Sequence, residues 1–512
     1  MKNWTFLASL LTFYLISGCQ KGVDKVELSA ISVSPSSVSI SIDEERQLTA
    51  TPVPDDVDES ELPLRFQSDN PVVASVSANG LVRGVSAGST HISVSGKLNS
   101  KIAKLVSVTV KAAPVPLTSI IVDPESLELI VSQIGQLKAV PTPENATVSS
   151  YTWRSNDPQI ASVSSNGSVT GKALGTTKIT VSANNIETEV PVSIVPSYKN
   201  PVLAKSLPDP SVIRAANGYF YLYATEDIRN MPIHKSKDLV NWEYVGTCFT
   251  EATRPKWEPG AGIWAADINY INGKYVLYYA YSVWGGEWTC GIGVATSVKP
   301  EGPFVHAGPY VGTSNEGMLF RSNGIGIQNS IDPCYVEDGN KSYLVWGSHQ
   351  GIYCVELTAD GLAVKSGAIP VLIAGKPNGE GFEGSQIHKR GNYYYLFASW
   401  GTCCNGANST YKTVVGRATS LFGPYFTKSG GSMSNNQYDV VIQGNSTFVG
   451  VGHSSRLVTD DEGSEYVLYH GYRKSDPGAG RLLFLDKIVW NNDFPTVAYN
   501  TPSTQAKAPV FR

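Results

Sequence analysis

Charged residues make up only 16% of this 512-residue chain, and lysine and arginine never gather into a run. With a formal net charge of −4, the chain lacks the basic footprint that nucleic acid or an anionic membrane surface would call for. Long apolar stretches are equally scarce. After the N-terminal "WTFLASLLTFYLIS", none is long enough to span a membrane. Helical periodicity is nearly absent, and there is no CxxC pair to suggest zinc or dithiol redox work. No nucleophile elbow and no HExxH are read, and "GIGIQN" and "GIGVAT" lack the third glycine of a dinucleotide loop. Serine esterase, zinc protease and dehydrogenase chemistry are thereby set aside, and a neutral ligand is expected.

The N-terminus carries Lys2 and an apolar stretch that stops at "GCQK", which reads as an export signal over 1–18. Ile16-Ser17-Gly18-Cys19 resembles the bacterial lipobox, and the resemblance implies a lipidated Cys19 as the mature N-terminus. The expectation is an exported protein at the outer membrane or cell surface, touching the membrane only through that lipid. Cys248, Cys290, Cys334, Cys354, Cys403 and Cys404 follow, all in the C-terminal part. Export permits disulfides, but their pairing is not legible.

An internal repeat organises the first two hundred residues. "FQSDNPVVASVSANGLVRGVSAGSTHISVS" at 66–95 returns as "WRSNDPQIASVSSNGSVTGKALGTTKITVS" at 153–182. Short Val/Ile/Thr-rich strands separated by Asn-Gly and Pro turns are the pattern of a small antiparallel sandwich. The two copies, 27–112 and 116–196, resemble bacterial immunoglobulin-like domains of group 2. Such modules act as spacers or adhesive units, and no polar cluster converges in either copy.

From Pro201 the composition shifts towards aromatics, and a new domain is expected over 199–512. Five similar segments stand in it, with aromatic strands beginning near Tyr219, Tyr275, Tyr343, Tyr393 and Tyr466. Repeating units of roughly 50 to 75 residues, each with several short strands, suggest radial repetition and hence an all-β, five-bladed propeller. If the first strand of each blade lines the axis, its leading residue faces the channel mouth. Those residues are Asp209, Trp264, Asp332, Glu383 and His453.

Three carboxylates brought to one pocket repel one another, and their burial costs free energy unless function compensates. Glycoside hydrolysis uses such crowding, with one carboxylate ionised as base and another kept protonated as acid. Asp209 in "PDPSVI" and Asp332 in "IDPCYV" are each followed by a proline that disfavours helix and holds the aspartate extended. Read alone, His453 is a pocket hydrogen-bonder.

These residues, with "GIWAADI", "FEGSQI", "GVGHSSRL" and "SWGTCCNGANSTYKTVVGRATSLFGPY", make the domain resemble glycoside hydrolase family 43, and most of all its arabinanases. The resemblance implies an inverting hydrolase of α-1,5-linked L-arabinan, endo-acting, on the pectin side chains of plant cell walls. Asp209 would be the general base, Glu383 the general acid, and Asp332 would orient Glu383 and raise its pKa. Trp264 would stack on a sugar ring and Asn329 would contact substrate. His453 would help to hold a cation, commonly calcium, and a monomer is expected. Trp257, Trp284, Trp288 and Trp400 offer further stacking surface, whereas Asp267 lies two positions along its strand and is left out of the catalytic set.

Ala266, Pro208 and Val451 depart from the family pattern without removing a catalytic group. Two other readings use the same residues. One is an exo-acting α-L-arabinofuranosidase or β-xylosidase of the same family. The other is an inactive surface carbohydrate-binding lipoprotein, against which the presence of all three carboxylates argues.

Overall fold

The computed structural model describes residues 25–377 and 379–512. The expected signal segment and Cys19 lie outside them. The chain packs into two compact units: one holds the described residues up to Asp123 with Lys138–Thr152 and Val181–Thr188, the other Pro124–Leu137, Trp153–Thr180 and Glu189–Arg512. Strands dominate both, and the single α-helix among the described residues is the one-turn Ser322–Ile325.

In the first repeat, Ser37–Ser41 lies parallel to Ala103–Lys111, which continues through Gly88–Ser95 to Arg65–Ser68 in a four-stranded sheet. Alternate residues of these strands, such as Val38, Ile40, Val106, Val108 and Val110, face a shared core, as period-two patterning requires. The string "GVSAG" at 84–88 fits the GxSxG pattern, but it joins Leu81–Gly84 to Gly88–Ser95 with no helix to follow, so it builds no elbow. The second repeat shows the same parallel pairing, with Leu127 of Leu127–Ile130 opposite Val192 of Ile186–Val195.

From residue 203 the strands form five blades. The first comprises Ser211–Arg214, Phe220–Tyr223, Pro232–Ser236 and Glu243–Thr247, and the second is built on Gly262–Ile271, Lys274–Ser282 and Gly291–Ser297. Cys334–Asp338, Lys341–Trp346, Ile352–Glu356 and Val371–Ala374 make the third. The fourth holds Glu383–Arg390, Tyr393–Trp400, Lys412–Ala418 and Asp439–Ile442. The fifth runs from Phe448–Gly452 through Glu465–Arg473 to Leu482–Lys487, and its outer strand is Leu203–Ser206 from the start of the domain. The ring is thus closed by pairing its first strand with its last blade, which leaves no long free edge there.

The aromatic strands are apolar on both faces because each is sandwiched between blades. In Lys274–Ser282, the side chains of Tyr275, Leu277, Tyr279 and Tyr281 share a core with Tyr221, Tyr223 and Ile233 of the first blade. Val276 and Tyr278 between them pack with Leu344 and Trp346 of the third. In the fourth blade Leu396 and Ala398 face the third and Tyr395 and Phe397 face the fifth. A strand buried on both faces loses its polar alternation, and this is why the five segments read as continuous aromatic runs.

Candidate active site

One feature recurs along the inner segment of every blade. Asp209, Ala265, Asp332, Gly384 and His453 all have left-handed φ, between 41° and 60°, a region that non-glycine residues rarely occupy. The turn interrupts the ladder at Trp264/Asp267 and Glu383/Gln386 and flanks the strand in the other three blades, and it aims side chains into one cavity. Asp209, Asp332 and His453 occupy the left-handed position itself, so the two aspartates before proline are not extended as expected, whereas Trp264 and Glu383 stand one residue earlier. Glycine is required in the fourth blade, because a Cβ on Gly384 would stand 2.9 Å from His453 Nδ1.

All six residues expected at the pocket, Asp209, Trp264, Asn329, Asp332, Glu383 and His453, line one cavity of about 320 Å³. Asp209 is buried in a nest of donors. Its Oδ1 lies 3.2 Å from His453 Nδ1 and 3.4 Å from Arg481 Nη1, and its Oδ2 accepts from Thr225 Oγ1 at 2.5 Å. Burial alone would raise its pKa, but the Arg481 and His453 charges and these hydrogen bonds hold it well below the usual carboxylate range. His453 is the reciprocal case. Burial lowers its pKa, yet the Asp209 charge and hydrogen bond raise it to about 9. His470 Nδ1 also lies 3.2 Å from Asp209 Oδ1 but accepts the Asp209 N–H at 3.1 Å. That imidazole is therefore neutral, in keeping with burial having pushed its pKa to about 4, and the contact is no ion pair.

Glu383 and Asp332 shift in opposite directions. Burial raises both, but Glu383 Oε2 accepts from Ser348 Oγ at 2.7 Å and faces His349 Nε2 at 3.3 Å, and these partners with Tyr411 bring its pKa below the ordinary value. Asp332 takes only the Gly384 N–H at 2.9 Å against burial and the charges of Glu383 and Asp209, and its pKa rises to about 7. This corrects the expected tuning. Asp332, not Glu383, is the carboxyl whose pKa is raised, because donors surround Glu383 and not Asp332. The Asp332 bond to Gly384 N–H fixes the backbone beside Glu383.

Asn329 lines the cavity, but its amide donates to Ser348 Oγ at 2.9 Å and to Ser348 O at 3.1 Å. It therefore aims the hydroxyl that holds Glu383. Trp264 stands at the wall with its ring 5.4 Å from that of Trp284, which is 78% exposed at the mouth. Trp288 is exposed as well. Trp257 is instead buried beneath Arg321, whose guanidinium lies 4.9 Å from its ring, and Trp400 packs on Phe382 and Tyr438. Those two are packing residues and not stacking surface. Cys403 and Cys404, both on the cavity wall, are bonded to each other, and the other four described cysteines are free and buried.

Asp267 belongs to a layer below the pocket. It is fully buried, accepts from Tyr335 N at 2.8 Å, and meets Arg456 Nη2 at 3.2 Å, which ties the second, third and fifth blades together. Asp267→Ala would leave the Tyr335 amide without its partner and Arg456 with only Asn269 Oδ1, so a loss of about 2 kcal/mol or more is expected in chemical denaturation. A stability within about 0.5 kcal/mol of the parent would show that this layer does not hold the blades.

Arg481, Thr225, His470, Ser348, His349 and Tyr411 were not anticipated. A signal for some existed: "YLYAT", "YYAYS", "VWGS" and "LFAS" place Thr225, Ser282, Ser348 and Ser399 where each aromatic strand ends. Three of these hydroxyls bond Asp209, Glu383 and the His453 N–H respectively.

Residues 198–495 match the model of glycosyl hydrolases family 43, and residues 27–106 and 116–194 each match that of the bacterial Ig-like domain, group 2. The chain is 34% identical over 302 residues to an extracellular endo-α-(1→5)-L-arabinanase of Bacillus subtilis, covering 57% of this chain and 87% of that one. It is 31% identical over 304 residues to an extracellular exo-α-(1→5)-L-arabinofuranosidase of Cellvibrio japonicus, covering 56% and 84%. The solved α-L-arabinanase of Cellvibrio cellulosa, complexed with arabinohexaose, aligns with a TM-score of 0.51 at 29% identity over 57% of this chain and 96% of that one.

Proposed function

Because the chain belongs to glycosyl hydrolases family 43, we propose that it hydrolyses α-1,5-linked L-arabinan, cutting within the chain and inverting the anomeric centre. The observation that carries this reading is the meeting in one cavity of a carboxylate held ionised, Asp209, with two further buried carboxylates, Asp332 and Glu383. A base must stay charged to accept a proton from water, and an acid must hold one near neutrality to give to the leaving oxygen. Asp209 takes the first role and Glu383 the second. Asp332 fixes the backbone beside the acid through the Gly384 N–H, and Trp264 offers a flat face to a sugar ring.

The endo reading draws on Trp284, exposed on the cavity wall, which gives a polysaccharide surface beyond a single sugar. Relatives of both habits exist, so the test is the size of early products from linear α-1,5-arabinan. Mixed oligosaccharides at the first time points are expected. Monosaccharide or one short oligosaccharide alone from the outset would replace the endo reading by an exo one.

Calcium enters this proposal only as charge near His453. A calcium ion takes six to eight oxygen ligands, the described residues hold no group of three or more His, Cys, Asp or Glu placed to bind a metal, and each step above is carried by the chain's own side chains. Export, anchoring through Cys19, action as a monomer on plant cell-wall arabinan and a spacer role for the Ig-like modules complete the proposal.

A further inference from the structure

We propose that His349 is a positioning residue for the general acid, sharing one proton with Glu383 and returning it when a saccharide covers the imidazole. The inference rests on the reading of Glu383 as the acid. Ser348 Oγ accepts from Asn329 Nδ2, so its single hydrogen goes to Glu383 Oε2, and this fixes that oxygen 3.3 Å from His349 Nε2. His349 is itself held in place: its backbone is left-handed, at φ 58°, and its N–H donates to Phe382 O at 3.1 Å, next to the acid. Such a conformation is sparsely populated for a non-glycine residue and persists where the surroundings demand it.

The two partners differ in access to water. The His349 side chain is 43% exposed on the cavity wall, whereas that of Glu383 is 11% exposed. With water present, the ion pair His349–H⁺ with Glu383 carboxylate is favoured, and the pKa of His349 is raised by its hydrogen bond to Glu383. A neutral sugar laid over the imidazole removes its hydration, and desolvation disfavours an ion pair relative to its neutral form. The Nε2–H bond then breaks as the Oε2–H bond forms, with no change in total charge. Substrate binding thereby arms the acid. Other groups around the pair are Asp332, His453, Tyr411 and Asp209, and none of them is altered in the test.

A pair sharing one proton loses it at a higher pH than either member would alone beside a neutral neighbour. His349→Asn, which tolerates the left-handed backbone, should move the alkaline limb of kcat/KM on linear α-1,5-arabinan to lower pH by about one unit. The acid limb, set by Asp209, should stay. An alkaline limb at the parent's pH overturns the proposal, whatever happens to kcat. Independently of activity, the imidazole midpoint of His349 followed by NMR in the full chain should fall towards 6.5 in Glu383→Gln, and an unchanged midpoint also overturns it. If Glu383→Gln is inactive while neither readout moves, the acid assignment stands and only the role of His349 is lost.

Discussion

Glu383→Gln is expected to lower kcat on linear α-1,5-arabinan roughly a thousandfold or more while the melting temperature stays close to the parent's. The glutamine amide keeps the size of the carboxyl, and its oxygen can still accept from Ser348 Oγ. The Asp332 bond to Gly384 N–H does not involve the altered side chain. What is lost is the proton for the leaving alkoxide. A 4-nitrophenyl α-L-arabinofuranoside departs as a phenolate that needs little protonation, so its hydrolysis should suffer much less. Equal losses on the two substrates would remove Glu383 from the acid's role, and parent-like turnover on arabinan would remove it from the mechanism.

The large features of this molecule were legible because they repeat. Five aromatic strands preceded by a polar position imply five blades, and Asp209, Trp264, Asp332, Glu383 and His453 do meet in one cavity. Finer placement was not legible, because it depends on a backbone device with no residue signature. The left-handed turn falls on Asp209, Asp332 and His453 but on Ala265 and Gly384 in the other two blades, and no sequence pattern predicts the one-residue offset.

Electrostatic roles were misread for a related reason. Like-charge crowding, visible in the sequence, suggested that Asp332 would raise Glu383. The donors that reverse the order, Ser348 and His349, come from the end of a different strand. Arg481 was missed because a lone arginine opening "RLLFLD" looks like an ordinary strand boundary until Leu203–Ser206 and Leu482–Lys487 are seen to pair beside Asp209. The cysteine pair was hidden by its proximity, since neighbours in sequence close no loop and leave no spacing to read.

Asp209→Asn separates the base from the acid. Deprotonating the attacking water is needed whatever the leaving group, so this variant should lose about a thousandfold or more on arabinan and on the 4-nitrophenyl glycoside alike. It should also differ in stability. Arg481 and His453 would remain buried with no anion between them, and uncompensated buried charge is costly, so its melting temperature should fall where that of Glu383→Gln does not. The pH dependence carries a sign. Asp209 has a folded-state pKa below its ordinary 3.8, so its contribution to stability is present above that pH and fades as pH falls through the folded value. The parent should therefore lose this increment on acidification, whereas Asp209→Asn, which never had it, should show a shallower decline of melting temperature below about pH 4. If the two decline in parallel, the network around Asp209 does not hold it ionised, and a weaker base would have to be sought among the remaining carboxylates.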